Sequence, residues 1–127
     1  MSQYLNMRTS RVDGCALAWL GGEIDVAAAA ESRAFLSAAL GDGRGRLVVD
    51  VADVTFIDAS GLGVLVFVAK AAARDEGWLR LVGASPMLRR IVGITRLTAV
   101  LPLYDTVRAA AAGPATAVPR SRQGSDR

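Results

Sequence analysis

The sequence contains no histidine and one cysteine among its 127 residues. Without histidine, Ser-His-Asp triads, imidazole acid–base chemistry and most zinc sites are excluded together. With Cys15 alone no disulfide can form within the chain, which fits a reducing compartment, and in "CALAWL" the residue reads as a small apolar strand side chain. Long apolar runs are missing too. The longest, "LGVLVFVA", falls far short of the roughly 20 residues that span a bilayer, and "MSQYLNMRTSRVDG" holds no apolar leader segment. A soluble, cytoplasmic protein without membrane contact is expected. Charge of one sign is also scarce: of the net +3, residues 113–127 contribute +2 (Arg120, Arg122 and Arg127 against Asp126), leaving +1 for residues 1–112. That is a basic tail and not a basic groove, so no direct nucleic-acid partner is expected.

What is present is an alanine-rich chain, 52% hydrophobic and 21% charged, of a length suited to one domain. "YLNMRTS" reads as a short or edge strand, Asp13-Gly14 as a hairpin turn, and "CALAWLGG" as the second strand, ended by Gly21-Gly22. In "EIDVAAAAESRAFLSAAL" the residues Ser32, Phe35, Leu36, Ala39 and Leu40 fall at helical spacing before Gly41 and Gly43. "RLVVDV" is the continuous β-branched run of a strand covered on both faces. Residues 60–76 match the helix template, with Leu62, Leu65, Val66, Ala69, Ala72 and Ala73 toward the core and Gly77 as cap. "WLRLVG" follows as an alternating strand, "PMLRRIVGI" as a helix opened by Pro86, "AVLPL" as a short strand and "YDTVRAAAA" as a last helix. The order β-β-α-β-α-β-α-β-α predicts an α/β fold: a mixed central sheet of about five strands with about four helices packed on it. Residues 1–112 form the domain, and residues 113–127, without periodicity, read as a disordered tail.

The chemistry concentrates at one joint. In "FIDASGLGVL" a central strand gives way to the helix through Asp58-Ala59-Ser60-Gly61, which sets Ser60 at or beside the helix N-terminus. Ser60 or Asp58 can act there as a plain N-cap. Alternatively the Ser60 hydroxyl is a phosphate acceptor, since a helix N-terminus tolerates added negative charge, and Gly61 and Gly63 then let another protein's active site approach. Projected at about 100° per residue, the outer face of this helix collects Gly63, Val64, Phe67, Lys70, Ala71 and Arg74. That is a docking surface beside Ser60, apolar in the middle with basic residues at its edge.

"GGEIDVAAAAESRAFL", "LVVDVADVTFIDASGLGVLV", "GWLRLVGASPMLRRIVGI" and "VLPLYDTVRAA" resemble, in order and spacing, the STAS-domain anti-anti-sigma factors, or anti-sigma factor antagonists, over roughly residues 5–110. The most specific element is Asp58-Ala59-Ser60-Gly61-Leu62-Gly63, matching the family's Asp-Ser-Ser-Gly-Leu-Gly signature. The resemblance implies a non-enzymatic switch with no cofactor of its own. The unphosphorylated protein would bind an anti-sigma factor that is also a serine kinase, and so free a sigma factor. That kinase, supplying ATP and magnesium, would phosphorylate Ser60 and dissociate, and a serine phosphatase would reset the cycle. Asp58 and Asp25 match signature acids and are implied neighbours of the acceptor hydroxyl; a monomer or weak dimer is expected.

Three positions depart from the family pattern. Ala59 replaces a hydroxyl residue and leaves Ser60 the single acceptor at the joint; "DVAAAAES" lacks the usual Thr or Ser cap and proline; Arg96 stands where a glycine is common. Two other readings remain open. One is a STAS scaffold or accessory subunit of a transporter, without a phosphorylation switch. The other is a small enzyme using Ser60 as nucleophile, against which stand the missing histidine and the missing Gly-x-Ser-x-Gly elbow.

Overall fold

Strand pairing begins at Asp13-Gly14. Both residues lie at positive φ, 49° and 81°, as a two-residue type I′ turn requires. They fold β1 (Leu5–Val12) back on β2 (Cys15–Ile24) in antiparallel register, Val12 opposite Cys15 and Leu5 opposite Gly22. The computed structural model describes residues 4–113. Apart from Gly113, the tail expected to be disordered lies outside the described residues.

Gly21-Gly22 do not end β2, which continues to Ile24 with register shifts against its parallel neighbour on either side of the pair. Space explains the glycines: a Cβ on Gly21 would lie 2.6 Å from the Trp19 ring, and one on Gly22, at φ 96°, would lie 1.7 Å from the Tyr4 carbonyl oxygen. Here glycine marks a bulge and a close approach, not a stop.

A 3₁₀ turn (Val26–Ala28) and α1 (Ala29–Asp42) lead into β3 (Arg46–Ile57). Then follow α2 (Ala59–Arg74), β4 (Trp78–Val82), α3 (Pro86–Ile94), β5 (Leu103–Tyr104) and α4 (Val107–Ala112). The sheet order is β1-β2-β3-β4-β5, with β2 to β5 parallel. Successive crossovers of one hand that always step the same way set their helices on one face. Accordingly Leu36, Leu65, Val68, Leu88 and Val92 from the three crossover helices share one buried cluster with Ala16, Ala18, Leu20, Leu47 and Val49 of the sheet. Helix α4 covers the other face, where Ala110 meets Cys15, Val48, Trp78 and Val82.

Two expectations change on packing. β4 is not half-exposed: all five of its residues are buried, because α4 covers the face that alternation would leave to water. Its Arg80 is held under α4, donating from Nη1 to the Ala110 carbonyl (2.8 Å) and stacked on Trp78 (3.8 Å to the ring centroid); burial lowers its pKa. In α2, Val64 and Val68 are buried while Ala73 is exposed. The inner stripe is therefore rotated relative to the expected one, because α2 is covered by α1 on its flank as well as by the sheet. The end of α2 differs too. Glu76, at φ 63°, takes the left-handed position, and Gly77 donates its N–H to the Ala72 carbonyl. Gly77 is needed for room, since a Cβ there would sit 1.9 Å from the Gly45 carbonyl oxygen.

Candidate functional site

Parallel pairing brings Ile24 opposite Ile57, so β2 and β3 end side by side. The loops that start α1 and α2 are therefore neighbours. Asp58 ties them together: Oδ1 accepts from the Gly61 N–H (3.0 Å), capping α2, and Oδ2 accepts from the Val26 N–H (3.2 Å) in the adjoining loop. Asp25 performs the equivalent task for its own turn, Oδ1 accepting from the Ala28 N–H (3.1 Å). It caps the 3₁₀ turn only, and α1 itself starts from Ala28 without a side-chain cap. Both signature acids thus spend their carboxylates on backbone N–H groups, and what they position is the pair of loops.

The two glycines of the joint separate in role. Gly61 is buried, and a Cβ there would lie 2.1 Å from the Ile24 carbonyl oxygen and 2.8 Å from Ile57 Cγ1. Its absent side chain lets α2 start against β2; it does not open a path for another protein, contrary to the sequence reading. At Gly63 nothing lies within 4 Å of the added Cβ, so this position does face open space.

Ser60 is the second residue of α2 and half-buried. With Asp58 as the cap, the Ser60 hydroxyl makes no side-chain hydrogen bond among the described residues. It opens onto a groove of about 460 Å³ between α1 and α2, lined by Val26, Ala29, Ala30 and Arg33 on one side and Ser60, Gly63, Val64 and Phe67 on the other. Val64 contributes from a buried position, 5% exposed, and is no outward anchor as its helical projection implied. Phe67 is 47% exposed and Val26 73%. The Arg33 guanidinium lies over the Phe67 ring, 5.1 Å from its centroid.

Lys70 and Arg74 are exposed on later turns and do not line this groove; Lys70 borders a separate recess of about 170 Å³ with Ala73, Trp78 and Val100. The wall from α1 escaped the sequence reading. Its signal was the solitary apolar Val26 after the Asp25 cap, followed by alanines short enough to leave a trough and then by Arg33.

The sequence profile of the STAS domain matches residues 6–110. BtrV of Bordetella bronchiseptica, named as an anti-sigma factor antagonist, is 31% identical over 116 residues, 91% of this chain and 100% of that protein. The crystal structure of an anti-sigma factor antagonist from Mycobacterium paratuberculosis superposes with a TM-score of 0.73 at 27% identity, over 84% of this chain and 90% of that one. The Bacillus cell fate determinant SpoIIAA, solved in its phosphorylated form, shares the fold at a TM-score of 0.64 and 21% identity, over 82% of this chain and 96% of that one.

Proposed function

The chain belongs to the STAS domain family, and on that premise we propose that it is an anti-sigma factor antagonist whose docking is switched by phosphorylation of Ser60. The unit that docks is the domain of residues 1–112, acting in the cytoplasm. The partner is an anti-sigma factor that is also a serine kinase, and its capture frees a sigma factor. The observation that carries the reading is the Ser60 hydroxyl: it is accessible, without a side-chain hydrogen bond among the described residues, and set at the end of an open groove. Asp58 already serves as helix cap, so capping does not account for a serine there.

In the transfer, Ser60 Oγ attacks the γ-phosphorus of the kinase's magnesium-bound ATP. The new O–P bond forms as the bond to the ADP oxygen breaks, and the hydroxyl proton passes to a base on the kinase. The product adds about −1.5 to −2 charge at the docking surface. A loss of about 3 kcal/mol in the complex corresponds to roughly a hundredfold fall in affinity, enough to release the kinase. A serine phosphatase then hydrolyses the ester and restores the hydroxyl.

The test mixes the protein with kinase-type anti-sigma factors of the same genome, with ATP and magnesium. Phosphate is mapped by mass spectrometry and affinity measured before and after, with Ser60→Ala and Ser60→Asp beside the parent. Phosphate on Ser60, with loss of binding on modification and in Ser60→Asp, is the expected result. Binding that persists unmodified leaves an antagonist without the switch. Binding to none of the kinases turns the assignment to a scaffold or transporter-associated subunit.

A further inference from the structure

Arg33 stands on α1 across the groove from Ser60, and its one described interaction is with the face of Phe67. Among the described residues the sole ion pair is Arg89 with Asp105, so the Arg33 charge has no carboxylate partner. An arginine over an exposed ring is held weakly compared with an arginine paired bidentately to a phosphate. We propose that Arg33 is the internal receptor for the phosphoryl group on Ser60: on modification it leaves the Phe67 ring, swings along the groove and pairs with the phosphate, bridging α1 to α2. This rests on the assignment of Ser60 as the modified residue, and goes beyond it in naming what the modified side chain binds.

The geometry allows the swing. Ser60 and Phe67 are seven residues apart on α2, about 10.5 Å of helix rise. Both α1 and α2 follow the C-terminal ends of the neighbouring strands β2 and β3, so Ala29 and Ala30, about one turn before Arg33, lie toward Ser60. The groove between the two positions is floored by groups that leave it clear. Gly63 has no side chain, Val64 is turned inward, and Ala29 and Ala30 end at a methyl. The phosphate at Ser60 adds length from its own side. Nearby acids oppose it: Asp25 and Asp58 sit in the two loops at the groove's end, and a dianion beside them needs a cation. Arg33 is the cation that lines this groove.

Bridging also changes what a partner meets. In the unmodified chain one face of the Phe67 ring carries a guanidinium and the groove is open. In the modified chain the ring face is bared, while an ion pair crosses the groove at its Ser60 end. Release then comes from closure as well as from added charge.

The experiment installs phosphoserine at position 60 during translation, so it depends on no kinase. The phosphate is titrated by ³¹P NMR in the full chain and in Arg33→Ala. With Arg33 present the second phosphate ionisation is expected about one pH unit lower than in Arg33→Ala, a tenfold stronger hold on the dianion. Arg33→Lys is expected to restore part of that difference. In the same samples the Arg33 side-chain protons, shifted upfield by the Phe67 ring before modification, are expected to lose that shift in the phosphorylated chain. Identical titrations in parent and Arg33→Ala, or an unchanged ring-current shift on Arg33, overturn the proposal. Failure of every kinase to modify Ser60 would leave this result standing, and a working kinase cycle would not rescue it.

Discussion

Gly61→Ala and Gly63→Ala make the same chemical change on one helix, two residues apart, and the packing assigns them opposite signs. At position 61 the new methyl would stand 2.1 Å from the Ile24 carbonyl oxygen, 2.8 Å from Ile57 Cγ1 and 2.9 Å from Ile24 Cγ2. The nearest obstacle is backbone, so a rotamer change cannot clear it, and the start of α2 must lift away from β2. Overpacking of this kind costs about 1–3 kcal/mol, and a backbone obstacle argues for about 3. At position 63 nothing lies within 4 Å of the methyl. There the change only removes the helix penalty of glycine, a gain of up to about 1 kcal/mol. The variants should differ by roughly 4 kcal/mol, with Gly61→Ala melting about 10 °C below the parent and Gly63→Ala a few degrees above it. Urea denaturation and thermal melts followed by circular dichroism measure both. Variants lying within about 1 kcal/mol of each other would refute the close approach of α2 to β2. Gly63→Ala has a second use: as a folded variant with a methyl beside Ser60, it should slow the proposed modification of Ser60 without loss of stability.

Asp58→Ala removes the acceptor for both Gly61 and Val26 N–H groups. It is expected to cost about 2 kcal/mol in urea, with faster hydrogen exchange at those two amides; a loss confined to Gly61 would deny the link between the loops. Arg96→Gly relieves a non-glycine residue at φ 60° in the left-handed end of α3, where the Leu97 N–H donates to the Val92 carbonyl. A gain of about 1 kcal/mol is expected, and unchanged stability would show that the turn stores no strain. Burial raises the Cys15 thiol above its ordinary 9.0, against a smaller opposing pull from Arg46 and Arg80. As pH rises through 9.0 the unfolded thiol ionises while the folded one stays protonated. The unfolded state then binds fewer protons, so this group lowers stability in the window above 9.0 and adds no slope below it. Urea midpoints at pH 8 and pH 10 should fall more steeply for the parent than for Cys15→Ala, and parallel falls would refute the thiol's part.

The order of elements was legible because each signal is local. Asp13-Gly14 demands a hairpin turn, Pro86 opens α3, and β-branched runs alternate with helical spacing. Glycine was the least legible residue. Gly22, Gly61 and Gly77 all sit where another segment presses on the backbone, and nothing local tells such a glycine from one that ends an element or bares a surface. The joint Asp58-Ala59-Ser60-Gly61 was visible as a signature, while the division of labour within it was not. Which of the two neighbouring side chains caps the helix depends on where the helix begins: α2 starts at Ala59, which makes Asp58 the N-cap and puts Ser60 inside the first turn.

The sequence by itself determined the alternation of strands and helices, the absence of imidazole chemistry and the lone hydroxyl of the Asp58-Ala59-Ser60-Gly61 joint. All of these follow from residue type and spacing along one element. The tertiary structure alone decided that α1 supplies half of the groove beside Ser60, that Val64 turns inward and that Lys70 and Arg74 stand exposed outside that groove. Those facts depend on which helix flanks which across the sheet, and the distance and angle between two packed helices are written in no single stretch of the chain.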